Sequence, residues 1–213
     1  AFALPMLAAL DPEQRKPQVL VLAPTRELAI QVADAFSSYA AHLNHVRVLA
    51  IYGGADFRDQ IHQLKRGVQI VVGTPGRVMD HMRQGTLDLS SLRALVLDEA
   101  DEMLRMGFID DVEWVLTQLP EKRQVVLFSA TMPSEIRRLS NRYLQDPAEI
   151  TIHSRKGEGG RIHQRFLLVQ PQMKPQVLHR VLEAESTGGV IIFTRTKAVS
   201  LTLAEGLEGQ GHN

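Results

Sequence analysis

Short runs of Val, Ile and Leu alternate along this chain with stretches whose apolar residues return every three or four positions. The runs occupy residues 19–23, 46–52, 69–72, 94–97, 125–128 and 149–152, and most are apolar at consecutive rather than alternate positions. Strands buried on both faces of a parallel sheet read this way. Between them, 27–41, 56–65, 76–83, 110–118 and 134–144 carry helix-period patterns. Strand, helix, strand, helix predicts an α/β fold with a doubly wound parallel sheet over residues 1–152. The segment HSRKGEGGR at 153–161 has three glycines and no large apolar residue, which predicts a linker. Beyond it, a strand at 162–169, a helix at 173–185, a strand at 190–193 and a helix at 197–207 predict the opening of a second α/β domain over 162–213.

Composition narrows the class. The chain is 44% hydrophobic and 23% charged, an ordinary globular balance. Cysteine is absent, which excludes disulfides and thiolate metal sites. No apolar run approaches the roughly 18 residues of a membrane span, so no membrane role is expected. The opening AFALPMLAAL lacks a basic leader and a cleavage site, which argues against a signal peptide. It reads instead as the middle of a helix, and both ends of the chain read as cut. With 24 basic and 24 acidic residues the formal net charge is zero, so any nucleic acid must be held by a local site rather than by bulk charge.

Lesser features read as structure. His42 and His45 share a helical face without a third ligand and are expected at the surface. Met103, Met106 and Met132 are expected to fill core gaps, Trp114 to be half-buried, and Arg137 and Arg138 to be solvated.

The residues just after each apolar run carry the chemistry. Residues 19–23 lead into Pro24, Thr25 and Arg26; 46–52 into Gly53 and Gly54; 69–72 into Gly73, Thr74, Pro75, Gly76 and Arg77. Residues 94–97 lead into Asp98 and Glu99, and 125–128 into Ser129, Ala130 and Thr131. In an open parallel sheet these carboxyl ends share one edge, where ligands bind. Any single polar strand end is ordinary; five together are harder to dismiss. Asp98 and Glu99 after an apolar strand suit a Walker B pair, the first holding magnesium through its water shell and the second orienting the water that attacks a γ-phosphate. Thr25 with Arg26, and Thr74 with Arg77, suit a phosphate backbone at helix starts, while Gly53 and Gly54 would let a nucleic-acid strand come close. The plainer reading makes the threonines helix caps and the glycines turns. Both can hold together, because a cap's exposed N–H groups are themselves donors.

In order the chain reads APTREL at 23–28, GG at 53–54, TPGR at 74–77, DEAD at 98–101, SAT at 129–131 and IIFTRTK at 191–197. This ordered set resembles the DEAD-box ATP-dependent RNA helicases, and LVLDEADEMLRMGF at 95–108 is similar to a bacterial cold-shock subgroup of them. The resemblance implies a RecA-like domain, ATP and magnesium as ligands, and RNA as partner. It implies that Asp98 sits on magnesium, that Glu99 is the catalytic base, and that Asp101, Ser129 and Thr131 couple nucleotide state to domain closure. It further implies that Pro24, Thr25, Arg26, Gly53, Gly54, Thr74, Gly76, Arg77 and, from the second domain, Thr196 contact the RNA sugar-phosphate backbone without sequence preference. A bacterial cytoplasm and complexes of ribosome assembly or RNA decay are implied by the subgroup likeness.

One departure qualifies this. No G-x-x-x-x-G-K-[ST] phosphate-binding loop occurs in the chain. In the family that loop would come just before Ala1, with the adenine-reading Q motif further upstream; the arginine-finger motifs would lie beyond Asn213. The sequence therefore reads as a piece of a helicase, expected to hydrolyse ATP only at background, with a truncated and marginally stable second domain. The rival classes are a non-catalytic RNA-binding or adaptor module, which has no need of Asp98, Glu99, Ser129 and Thr131 together, and a DNA helicase of the same superfamily.

Overall fold

The computed structural model describes residues 2–152, 163–185 and 188–212, and the chain divides into two compact units, Ala1–Glu149 and Ile150–Asn213. The linker expected at 153–161 lies outside the described residues.

The first unit runs α1 (Ala3–Ala8), β1 (Val19–Leu22), α2 (Arg26–Tyr39), β2 (Val48–Ile51), α3 (Phe57–Lys65), β3 (Ile70–Gly73), α4 (Pro75–Arg83), β4 (Ala94–Leu97), α5 (Ala100–Arg105), α6 (Ile109–Gln118), β5 (Gln124–Leu127) and α7 (Ser134–Tyr143). The strands form one five-stranded sheet in the order β2-β3-β1-β4-β5, parallel throughout. Consecutive apolar residues serve both faces. Leu20, Leu22, Leu95 and Leu97 enter one core with residues of α4, α5, α6 and α7, whereas Val19, Val21, Ala94 and Val96 enter the other with α1 and α2. Leu20, Leu22, Leu95 and Leu97 are fully buried, and truncating any of them to Ala costs about 2–5 kcal/mol. Edge strand β5 is only half-buried, as its single neighbour allows.

From β1 the chain goes to β2 on one side; from β4 it goes to β5 on the other. The carboxyl ends of β1 and β4, which are neighbours, thus flank the point where the winding reverses, the place where open α/β sheets bind ligands. The tips stay in register past the strands themselves. Asp98 N–H donates to the Leu22 carbonyl at 3.0 Å, Phe128 N–H to Leu97 at 2.8 Å, and Ala100 N–H to Phe128 at 3.0 Å.

The second unit contains a 3₁₀ turn (Pro171–Met173), α8 (Lys174–Ala184) and α9 (Lys197–Glu208). Three expected strands do not form. Among the described residues, 149–152, 163–169 and 190–193 are in no sheet. Their apolar side chains lie open, Phe166 at 85%, Leu168 at 94%, Ile191 at 81% and Phe193 at 91% exposure. An apolar run becomes a strand only when another strand takes its backbone groups, and none of these runs has found one.

Candidate functional site

The rim is built at the five strand tips. At β4 the chain turns sharply into α5 through Glu99, whose φ of 51° and ψ of 53° are left-handed. A non-glycine residue there stores roughly 1–2 kcal/mol of strain, which an active site can carry. Asp98 is half-buried and Glu99 exposed. Burial pushes the Asp98 carboxyl above its ordinary range, opposed by a backbone hydrogen bond from Glu99. A carboxylate that is costly to ionise alone is suited to a nearby cation. Two carboxylates fit magnesium, which keeps several waters and takes few protein ligands. No group of three or more His, Cys, Asp or Glu that could hold a metal occurs among the described residues.

Asp101, in the first turn of α5, is 7% exposed and joins the end of β4 to the loop after β5. Its Oδ2 accepts from the Thr131 N–H at 3.0 Å and the Thr131 hydroxyl at 2.7 Å. Its own N–H donates to Ser129 Oγ at 3.2 Å, and that hydroxyl donates to the Thr131 carbonyl at 2.6 Å. Burial pushes the Asp101 carboxyl up, yet the bonds from Thr131, Ser129 and the Ala130 backbone outweigh it and hold it below the usual range. Asp101, Ser129 and Thr131 are thus one hydrogen-bonded group.

On the other side of β1, Thr25 and Thr74 differ. Thr25 caps α2, its Oγ1 accepting from the Leu28 N–H at 3.2 Å; Thr74 occupies the N-cap of α4 without a side-chain cap bond. Pro24 is buried, Thr25 half-buried and Arg26 exposed, its guanidinium 5.1 Å from the Tyr52 ring centre. Gly53 and Gly54 are exposed, and only Gly54 has a positive φ, 83°. A Cβ at Gly53 would meet nothing within 4 Å, and at Gly76 only Asp111 Oδ2 at 3.8 Å. A side chain at 53 or 76 would therefore meet no clash within the fold itself. Arg77 is turned inward. Its Nη1 donates to the Ala55 carbonyl at 3.3 Å and to Gln60 Oε1 at 3.2 Å. Thr196 caps α9 in the second unit, accepting from the Val199 N–H at 3.3 Å.

Two further residues pack around α4: Gly73, whose steric role was not legible in the sequence, and His81, which went unread. Gly73 ends β3 where a Cβ would lie 2.7 Å from the Ile51 carbonyl oxygen, from Ile51 Cγ1 and from Val78 Cγ2, so glycine is what lets α4 seat against β2. His81 is fully buried on α4, and burial, with Arg77 nearby, lowers its pKa to about 4. Val78 and His81 lie three apart on the face that α4 buries, but that spacing alone does not tell a buried histidine from a solvated one. Of Met103, Met106 and Met132 only Met103 fills the core, because α5 turns it inward; Met106 and Met132 are 46% and 41% exposed. Trp114 is half-buried beneath Arg83, and His42 and His45 are exposed. A cleft of about 360 Å³ lined by Arg15, Arg47, Arg66 and Gln69 opens at the amino ends of β2 and β3, away from all the rim residues.

The family model for the DEAD/DEAH box helicases matches residues 1–139. ATP-dependent RNA helicase DeaD of Escherichia coli (strain K12) is 53% identical over 213 residues, all of this chain and 34% of that protein. Its namesake from Mycobacterium tuberculosis (strain CDC 1551 / Oshkosh) is 52% identical over 211 residues, 99% of this chain and 37% of that one. A crystal structure of a DEAD box protein from the hyperthermophile Methanococcus jannaschii superposes with a TM-score of 0.69 at 39% identity, covering 99% of this chain and 56% of that chain. The chain thus spans about a third of the length of the curated relatives it matches.

Proposed function

The chain belongs to the DEAD/DEAH box helicase family, and from that premise we propose that the whole protein is an RNA-stimulated ATPase that locally separates RNA duplexes. The observation that carries this reading is the joined tips of β4 and β5. Asp98 and Glu99 lie at the exposed rim, and two residues on, Asp101 is bound to Thr131. A change at the nucleotide end of β4 is thereby tied mechanically to the β5 loop.

Asp98 would hold a magnesium ion through its water shell, and Glu99 would take the proton of the attacking water on its carboxylate. Magnesium, when bound, supplies charge neutralisation at the β- and γ-phosphates. Gly53, Gly54, Thr74 and Gly76 offer RNA a surface free of bulky side chains; Thr25 and Arg26 add a cap and an exposed cation, and Thr196 a contact from the second unit. Pro24 shapes the turn from beneath, and Arg77 acts behind the surface. Such contacts read phosphate and sugar, so sequence preference should be slight. The cytoplasm, cold-shock physiology and complexes of ribosome assembly or RNA decay belong to the same reading, through the likeness to the relatives' subgroup.

The test is ATP turnover by the whole protein with and without single-stranded RNA. Stimulation by RNA, lowered about a hundredfold or more by Glu99→Gln, supports the reading. RNA binding without any turnover would leave an adaptor. The 213-residue chain alone, which contains no G-x-x-x-x-G-K-[ST], should turn over ATP only at background.

A further inference from the structure

A buried polar chain lies between α3 and α4, beneath the Gly53–Gly54 turn. Gln60 of α3 is 4% exposed and His81 of α4 is fully buried. Gln60 Nε2 donates to the Tyr52 carbonyl at 3.2 Å. Its Oε1 accepts from Arg77 Nη1 at 3.2 Å and lies 3.0 Å from His81 Nε2. Arg77 Nη1 in turn donates to the Ala55 carbonyl at 3.3 Å. One amide therefore holds both shoulders of the glycine turn, Tyr52 directly and Ala55 through Arg77.

The proton pattern is determined. Arginine only donates, so the oxygen of Gln60 must face Arg77 and its nitrogen must face the Tyr52 carbonyl. His81 Nε2, which meets that same oxygen, must then also donate. Nδ1 is left as the acceptor, and the Thr86 hydroxyl at 2.8 Å supplies the proton. The same hydroxyl lies 3.0 Å from the His81 carbonyl, but that oxygen already accepts from the N–H groups of Thr86 at 2.9 Å and Leu87 at 3.2 Å, whereas Nδ1 has no other donor among the described residues. The His81 ring stacks on Phe57 with centroids 4.1 Å apart and 10° between planes, and the Arg77 guanidinium lies 5.1 Å from the centre of that same Phe57 ring.

We propose that Gln60 is a positioning residue for RNA binding: backed by His81 and Thr86, its amide fixes Arg77 and the Gly53–Gly54 turn in the shape that receives the sugar-phosphate backbone. This rests on the RNA-binding reading above. Arg77 is accordingly tied to the turn through its Nη1, which donates to Ala55 and Gln60.

The competing explanation is that Gln60 only fills space, and Gln60→Leu separates the two. Leucine has nearly the same volume and suits a buried site, but it removes the donor to Tyr52 and the acceptor of Arg77 and His81 together. For a space-filler it is a mild change. For a positioning residue it loosens both shoulders of the turn.

The experiment titrates RNA-stimulated ATP turnover of the whole protein with a single-stranded oligouridylate. Gln60→Leu is expected to raise the half-saturating RNA concentration about tenfold, with kcat at saturating RNA kept within about twofold. An unchanged half-saturation in Gln60→Leu overturns the proposal. Should Gln60→Leu fail to fold, Thr86→Val removes the hydroxyl behind His81 and should give a rise of about threefold; no rise overturns the proposal equally. If the wild-type protein shows no RNA stimulation at all, the functional reading falls and this proposal with it, an outcome distinct from a stimulated wild type with an indifferent variant.

Discussion

Two buried polar groups stand on either side of β1, and they solve opposite problems. Between β4 and β5, Asp101 is held ionised, because donors from Thr131 and Ser129 outweigh the cost of burial. Between α3 and α4, His81 is held neutral, because burial and the neighbouring Arg77 both disfavour a second proton. Each joins two elements whose ends carry rim residues. The difference is one of sign: a carboxylate is cheap to bury among donors, and an imidazole is cheap to bury only uncharged.

The largest test strikes the backbone of the α4 side. Gly73→Ala would put a Cβ 2.7 Å from the Ile51 carbonyl oxygen, where no side-chain rotation relieves the clash. A loss of about 3 kcal/mol or more in urea unfolding is expected. A loss below about 1 kcal/mol would show that α4 can shift freely, and that side would then be the softer of the two. On the β4–β5 side, Asp101→Ala leaves the Thr131 N–H and hydroxyl without their acceptor and should cost about 2–3 kcal/mol by the same measurement.

Acid then sharpens the contrast. The folded pKa of His81, about 4, lies below its unfolded value of 6.5. The unfolded chain therefore binds the extra proton first. The contribution of neutral His81 is complete above pH 6.5 and is lost as pH falls toward 4, at most about 3 kcal/mol. Asp101, whose folded pKa is depressed below 3.8, gives up its contribution only below that value. Both sides weaken in acid, in successive windows, the α4 side first. Trp114 is the chain's single tryptophan and lies on α6 against Arg83 of α4, so its fluorescence reports that side. A urea midpoint that is flat from pH 7 to 4.5 would refute the assignment, and His81→Gln should flatten the wild-type slope.

The smallest effect is a control. Asp88 is pulled down to about pKa 2 by hydrogen bonds from Lys16 and Ser90, with Lys16 Nζ 2.8 Å away, yet its side chain is 54% exposed. Solvent screens such a pair, and Lys16→Met should change stability by less than about 0.5 kcal/mol. A larger loss would mean that a lowered carboxyl, rather than burial, measures what a polar contact contributes.

These residues also show what was legible beforehand. The five strands and their carboxyl-end residues were readable because continuous Val, Ile and Leu runs have few other uses. The same rule overreached at 149–152, 162–169 and 190–193, since a pattern specifies a buried face but supplies no neighbouring backbone. α5 was unread because DEADEMLR is acidic at its start and too short for a clear period, although Asp101 and Met103 are buried by it. Asp98, Glu99, Ser129 and Thr131 were legible as strand-end chemistry, and Asp101 only through the family resemblance. Gln60 and His81 were not, because a polar residue on a polar helix looks solvated until its partners are known. Arg77 was legible as a cation but not as one turned inward.

The hydrogen bonds that continue past the strands have a consequence for motion. Asp98, Ala100 and Phe128 each donate a backbone N–H to the neighbouring strand or its extension. Exchange of those three amide protons with deuterated solvent should wait on opening of the sheet itself, at rates near those of the core leucines rather than of loops. The β4 tip would then be among the stiffest parts of the first unit over minutes to hours.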